Sequence, residues 1–257
     1  MPRLTDPKDI RARLEEDRPW TAFALADLEP PYSAHASWFV PPGNPHAIGL
    51  LYGAFGTPLV LCSGQSDEWP DLLREIDHAV GEAREVYVVV RPELLPVIRF
   101  QYQTIEEREM IRMVLHPGAF RPVYTDAATR IGPAGLDLMK DLFAGDTPPF
   151  FLPSMLADGS YYGILEDDRL VAAAGTHVLA HDVSVAALGN IYTRPDRRGR
   201  GLAAAVTSAV VRDLIEMGIA TIVLNVRDDN HPAVRVYERL GFERYCTYFE
   251  VPARRVE

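Results

Sequence analysis

The sequence predicts an α/β protein built as mixed central sheets with flanking helices, in two similar domains in tandem. Three observations carry this. A strand, a helix and a second strand follow one another over Val183–Thr193, Leu202–Met217 and Ala220–Val226. Their spacing is that of a crossover unit, which favours local parallel pairing. The first half has a similar order of strands and helices, and a Pro/Gly-bearing stretch up to about Pro122 separates the halves, placing domains at 1–121 and 122–257. Finally, 257 residues with 47% hydrophobic and 24% charged side chains can bury one large core or two moderate ones.

In chain order, the first half opens with a helix over Lys8–Glu16 and a short one over Thr21–Leu28. Strand-forming runs recur at Ala36–Val40, Ile48–Tyr52 and Pro58–Cys62, with Pro41-Pro42-Gly43-Asn44-Pro45 as a turn between the first two. Trp69, Leu72, Leu73, Ile76 and Val80 recur at helical spacing over Glu68–Val80, and Gly81 stops that helix. Glu85–Val90 reads as a largely buried strand. Pro92 starts a helix running through Ile98, because the N–H that proline lacks is unpaired in a first turn anyway. In the strand Glu109–Leu115, Met110, Arg112 and Val114 face opposite to Ile111, Met113 and Leu115.

The second half begins with helices over Pro133–Phe143 and Phe150–Ala157. Tyr161–Leu165 and Leu170–Leu179 form a hairpin around the polar turn Glu166-Asp167-Asp168-Arg169, and Val183–Thr193 is the third antiparallel strand. Helix Leu202–Met217 carries Leu202, Val206, Ala209, Val210, Leu214 and Met217 along its apolar face, with Thr207, Asp213 and Glu216 at polar positions. Ala220–Val226, a helix over Pro232–Leu240 and a last strand over Phe242–Val251 complete the chain.

Composition excludes several functions. A formal net charge of −10 leaves no basic footprint for general nucleic-acid binding. The two cysteines, Cys62 and Cys246, are far apart and lack metal-ligand spacing, which argues against a metal site and a disulfide framework and for a reducing compartment. The amino end lacks the apolar core of a secretory signal and no apolar run approaches membrane-spanning length, so a cytoplasmic protein without a membrane partner is expected.

The most informative segment is Arg198-Gly199-Arg200-Gly201-Leu202-Ala203, which joins the strand ending near Thr193 to the helix beginning near Leu202. Two glycines let the backbone turn tightly, and a helix start leaves N–H donors unpaired, so the junction suits an anion such as phosphate. The spacing is neither that of a nucleoside-triphosphate P-loop nor the Gly-x-Gly-x-x-Gly of a dinucleotide fold.

Arg198, Gly201 and Ala203 match Arg/Gln-x-x-Gly-x-Gly/Ala, and Asn230, Ala233, Tyr237, Gly241 and Phe242 match a downstream Asn-x-x-Ala-x-x-x-Tyr-x-x-x-Gly-Phe pattern. Together these motifs resemble the GCN5-related N-acetyltransferase (GNAT) family over about 122–252. The resemblance implies acetyl-CoA as cofactor, with its pyrophosphate on the backbone of Arg198, Gly199, Arg200, Gly201, Leu202 and Ala203. It implies a pantetheine arm along Ile191, Tyr192 and Thr193 in a V-shaped opening before the next strand, a contact from Asn230, and Tyr237 as general acid toward the departing thiolate. Read as bare residues, Asn230 would also cap the helix beginning near Pro232, and Tyr237 would also serve as a core aromatic.

Arg194, Arg197, Arg198 and Arg200 can attract an anionic cofactor despite the acidic whole. The carboxylate the family commonly uses as base falls around Gly189-Asn190 and is missing. His177, and less so the turn residue His181, are the candidate bases, because imidazole titrates near operating pH. The first half has Gly64-Gln65-Ser66-Asp67 where a phosphate loop would lie, and its acidic end suits a degenerate, supporting domain. The pairing is similar in architecture to two-domain acyltransferases with an FR47-like C-terminal domain. The expected acceptor is a small-molecule or peptide amine, with Thr147-Pro148-Pro149 and Pro153 near its entrance; monomer and homodimer both remain open. The alternative is a non-catalytic acyl-CoA sensor.

Overall fold

The computed structural model describes residues 3–41, 44, 46–65, 67–144 and 151–256. Its elements are β1 Arg3–Leu4, α1 Pro7–Glu15, α2 Ala22–Ala26, β2 Ala36–Phe39, β3 Ile48–Tyr52, β4 Leu59–Ser63, α3 Trp69–Val80, β5 Glu85–Val90, α4 Leu95–Gln101, β6 Tyr102–Thr104 and β7 Arg108–Leu115. There follow β8 Ala128–Arg130, α5 Leu136–Phe143, α6 Met155–Asp158, β9 Tyr161–Glu166, β10 Arg169–Ala180, β11 Val185–Thr193, α7 Leu202–Glu216, β12 Thr221–Arg227, α8 His231–Leu240 and β13 Glu243–Arg255. The mixed α/β architecture predicted from sequence is therefore observed, with helices flanking mixed sheet.

The chain divides into two compact units, Met1–Arg112 with Tyr245–Glu257, and Met113–Arg244. The sequence reading, cut at 121/122, assigns residues 113–121 and the C-terminal segment differently. In the first unit, β1, β2, β3 and β4 pair antiparallel in succession, β4 pairs parallel with β5, and the last strand returns to pair antiparallel with β5 from Phe249 to Arg254. Helix α3 makes the parallel crossover from β4. It buries Trp69, Leu72, Leu73 and Ile76 into a core shared with Val60, Cys62, Val86, Val88 and Val251. Burying four such side chains contributes about 6–12 kcal/mol of transfer free energy before entropy is charged against it.

The second unit uses the same devices. β8, β9, β10 and β11 pair antiparallel, and β11 pairs parallel with β12 through the crossover helix α7. The hairpin between β9 and β10 turns on Asp167 and Asp168, both left-handed at φ 50° and 59°, a geometry that matches the twist of the paired strands and that aspartate tolerates. Ile131, Met139, Leu142, Phe143, Leu156, Tyr161, Leu170 and Ala173 form a core under this sheet.

Three sequence expectations change. Helix α7 is not two-faced: Ala205 through Val211 are all buried, Thr207 and Ser208 included, while Met217 lies past the helix end and is 36% exposed. Ser208 is buried because its hydroxyl accepts the Val123 N–H at 2.8 Å. The helix expected over Phe150–Ala157 is only Met155–Asp158, and the last strand extends to Arg255. The Pro42, Gly43, Pro45, Ser66, Thr147-Pro148-Pro149 and Phe150 parts of the expected turn, connection, entrance and helix lie outside the described residues.

Candidate active site

The site grows out of a mismatch between β11 and its two neighbours. β11 and β12 are in parallel register only from Val185↔Thr221 to Leu188↔Leu224, although the strands run on to Thr193 and Arg227. Past Leu188 the edge of β11 that faces β12 therefore loses its ladder partners. On the other edge, the pairing with β10 slips: Ala173 opposes Tyr192, but Gly175 opposes Gly189, so Asn190 and Ile191 stand against a single residue. Asn190 takes a left-handed backbone at φ 53°, and this bulge bends the strand away from its neighbour. The ladder to β12 thus ends just before Ile191, Tyr192 and Thr193, the segment beside which a V-shaped opening is expected.

Buried polar atoms without partners gather around these strand ends. Asn225 Oδ1 on β12, Thr193 Oγ1 and Asn190 Oδ1 on β11, and His177 Nε2 on β10 have no hydrogen-bond partner. Such atoms cost free energy unless something else meets them.

The turn expected to hold an anion follows the end of β11. A short 3-10 turn over Pro195–Arg197 leads into Arg198, and Gly199 and Gly201 adopt φ 77° and 78°, which suits glycine. A Cβ on either would meet nothing within 4 Å, so the left-handed backbone, not crowding, calls for glycine here. Gly201 is the N-cap of α7, without a side-chain cap bond, so the first-turn N–H groups have no side chain to satisfy them. Arg198 is tied back to this strand: its Nε donates to the Thr193 carbonyl at 3.3 Å and its guanidinium lies 6.0 Å from the Tyr192 ring centre.

The other arginines are already engaged. Arg194 pairs with Asp141 at 2.7 Å, Arg197 with Glu166 at 2.8 Å and with Asp196 at 2.6 Å, and Arg200 with Glu166 at 2.9 Å. These partners hold the Glu166 carboxyl below its ordinary range, the Arg197 hydrogen bond most of all. Among the described residues, Arg198 has no ion pair. The positive field expected of four arginines is thus largely spent on shaping the loop.

Asn230 is the N-cap of α8, its Oδ1 accepting the Ala233 N–H at 3.3 Å, as the sequence alternative had it. Tyr237 is buried, 7% exposed, with its ring edge-to-face with Phe242 at 6.1 Å. No hydrogen bond to its hydroxyl occurs among the described residues, and burial pushes the phenol well above its ordinary range. His177 sits at the second register shift of β10, with its ring against Gly189: a Cβ on Gly189 would lie 2.2 Å from Nε2. Burial lowers its pKa, and the amide of Asn190 nearby opposes that shift in part. His181 is exposed at the turn before β11.

Asn190 and Tyr161 were not singled out by sequence reasoning. The signal available was the glycine at each of two strand interiors, Gly175 and Gly189, which marks a bulge or a close approach. Gly175 makes room for the Tyr161 ring, as Gly189 does for His177.

Three antiparallel strands, a parallel crossover, the end of the β11–β12 ladder after a bulge and a Gly-rich turn into the crossover helix give the second unit a GNAT-like fold. Residues 134–242 match the Acetyltransferase (GNAT) family. The chain is 36% identical over 85 residues to a mycothiol acetyltransferase of Rhodococcus jostii, an alignment covering 32% of this chain and 28% of that protein. It thus spans under a third of the length of this curated relative. A GNAT-family putative acetyltransferase of Novosphingobium aromaticivorans has a similar fold, with TM-score 0.66 and 20% identity over 94% of this chain and 100% of that one. So does a tandem GNAT protein from the clavulanic acid biosynthesis pathway, with TM-score 0.61 and 12% identity over 98% and 97%. Among the described residues, no cluster of side chains suits a metal ion, and no helix is long and apolar enough to cross a membrane.

Proposed function

We propose that this protein is an N-acetyltransferase that moves an acetyl group from acetyl-CoA to an amine carried by a small molecule or a peptide. The observation that carries this reading is the splay of β11 from β12 after Leu188, with the Arg198–Ala203 turn at its mouth and orphaned polar atoms along it. These residues fit the cofactor. Backbone N–H groups of Arg198, Gly199, Arg200, Gly201, Leu202 and Ala203 suit a pyrophosphate, and the open edge of Ile191, Tyr192 and Thr193 suits an amide-bearing arm. Asn225 and Thr193 supply unmet polar atoms for the same arm, and the Asn230 amide can reach outward while its oxygen caps α8.

Acetyl-CoA, when bound, supplies an acyl group on a thioester and a sulfur able to leave. The chain handles the protons. His177 Nε2 takes one from the attacking amine, which must be neutral at nitrogen to form the C–N bond, and the Tyr237 hydroxyl gives one to sulfur as the C–S bond breaks. An N–H on the open edge of β11 stabilises the negative charge that builds on the carbonyl oxygen. The raised Tyr237 pKa keeps that phenol protonated, and the lowered His177 pKa keeps that imidazole free to accept.

The first unit serves as a degenerate GNAT-like partner: it repeats the antiparallel strands and the parallel crossover but carries Gly64 and Gln65 where the second unit has its arginine-glycine turn. The similarity to mycothiol acetyltransferases favours a small-molecule amine over a peptide, and a cytoplasmic setting follows from the cysteine usage. Acetyl-CoA-dependent stabilisation, with CoA released on addition of members of an amine panel, is the expected result. A folded protein that does not bind acetyl-CoA overturns the reading; binding without transfer to any amine favours a sensor instead.

A further inference from the structure

Resting on that reading, the polar atoms at the β11 bulge also identify where the acceptor is held. Tyr161 donates its hydroxyl proton to the Thr176 carbonyl at 2.9 Å. A phenol has one proton, so toward Asn190 its oxygen can only accept, and the Asn190 Nδ2 duly donates to it at 2.8 Å. The amide is thereby locked: its NH2 end points at Tyr161 and its carbonyl end points away. Asn190 is only 6% exposed, and its Oδ1 has no partner. Across from it, the His177 ring packs on Gly189, the residue before Asn190, with Nε2 likewise unmet.

The backbone repeats the message. Asn190 is held left-handed, where asparagine is among the few side-chain-bearing residues that settle readily. The bulge turns its side chain into the buried layer with Tyr161 and Met155. Three glycine-sized gaps, at Gly159, Gly175 and Gly189, are filled by Thr176, Tyr161 and His177 respectively. An arrangement that fixes an amide so firmly, then leaves its oxygen buried beside an unmet imidazole nitrogen, is built for a group bearing more than one N–H.

We propose that Asn190 binds the acceptor: its Oδ1 takes one N–H of a primary or secondary aliphatic amine while His177 Nε2 faces another, and Tyr161 is the positioning residue that aims the amide. An ammonium ion with at least two N–H bonds satisfies both orphaned atoms. Loss of the proton that faces His177 leaves the amine neutral and still held by Asn190. A hydroxyl or thiol acceptor, with a single proton, satisfies one of the two. The site therefore selects amines by donor count.

The test uses the full chain and a primary amine that the native protein acetylates, with three variants. Asn190→Gly suits the left-handed backbone and removes only the side chain; it is expected to raise the acceptor KM about tenfold or more, with acetyl-CoA affinity unchanged. Tyr161→Phe keeps the ring on Gly175 and frees the amide to turn; it raises KM by a smaller factor and leaves kcat within about twofold. Asn190→Asp puts a carboxylate near His177, whose ring is buried and is influenced by no charged side chain in the native protein. The rising limb of its kcat/KM profile then moves to higher pH. If the native protein acetylates the amine and all three variants keep its KM and pH profile, the assignment of Asn190 is overturned. If the native protein transfers to no amine while binding acetyl-CoA, the transferase reading itself fails.

Discussion

The His177 imidazole occupies the space that a side chain on Gly189 would fill, with its Nε2 2.2 Å from where a Cβ would stand. Gly189→Ala must therefore move something. The nearest atoms are the far end of the His177 ring, so the fold is expected to lose about 1–3 kcal/mol while the imidazole is displaced. A cooperative thermal transition lowered by no more than about ten degrees, together with a loss of turnover matching that of His177→Ala, is the expected pair of results. Native turnover in Gly189→Ala removes His177 from the reaction.

His177 also gives a pH signature of stability. Burial depresses its pKa in the folded state, so the unfolded chain binds the extra proton first as pH falls. The stabilisation is whole above the unfolded value of about 6.5 and is lost progressively below it, as pH falls toward the folded value. His177→Gln flattens that part of the stability profile. An unchanged slope of denaturation midpoint between about pH 7 and 5 shows the ring to be solvated.

Most elements could be read from residue types alone because their cues are local. Gly81 after the spaced apolar residues of α3, the Asp167-Asp168 turn and the strand run of β11 each act within a few residues. What escaped was set by distant partners. Thr207 reads as a polar position of α7 until the structure buries it together with Ser208, to which Val123 supplies a donor. Glu166 is a turn residue in sequence and the counter-charge of Arg197 and Arg200 in space. The C-terminal strand returns to β5, which no local cue announces. The motif residues of the candidate site were legible as a pattern, whereas the Asn190–Tyr161 bond joins residues 29 positions apart and follows from a bulge.

Tyr237 is expected to act on departure of sulfur and little on binding. Its phenol has no hydrogen bond among the described residues, and burial holds its proton on through the alkaline range. Tyr237→Phe preserves the edge contact with Phe242 and should lower kcat about a hundredfold with acetyl-CoA affinity within about twofold. Single-turnover kinetics separate the two quantities. Equal turnover between the variant and the native protein assigns the proton to water.

On this reading the loop carboxylate restrains anion binding. Glu166 engages both Arg197 and Arg200 and Asp141 engages Arg194, so that of the four arginines at this turn Arg198 alone has no ion pair among the described residues. Glu166→Gln is expected to tighten CoA binding about two- to fivefold at low ionic strength, an advantage that fades as salt shortens the reach of exposed charges. Arg198→Ala weakens it by a similar factor. Calorimetric titration at two salt concentrations checks both; tightening that persists at about 1 M salt points to a rearranged loop instead of a freed charge.

Asp27 provides a test within the first unit. It caps the C-terminal end of α2, is 9% exposed, and among the described residues has no hydrogen bond or ion pair to its carboxylate. Burial raises its pKa well above the ordinary value, and its charge adds to the burial that pushes Tyr52 up to about 12. Because the folded state holds this proton more tightly than the unfolded chain, stability falls as pH climbs from the unfolded value of about 3.9 through the folded one, and stays lower above it. An amide of the same shape has no proton to lose. Asp27→Asn is therefore expected to be more stable than the native protein at neutral pH, with the gain shrinking toward zero below about pH 4. A lower melting temperature for the variant at pH 7, with none of that pH dependence, means the carboxylate is held ionised by a partner and its burial is an asset to the fold.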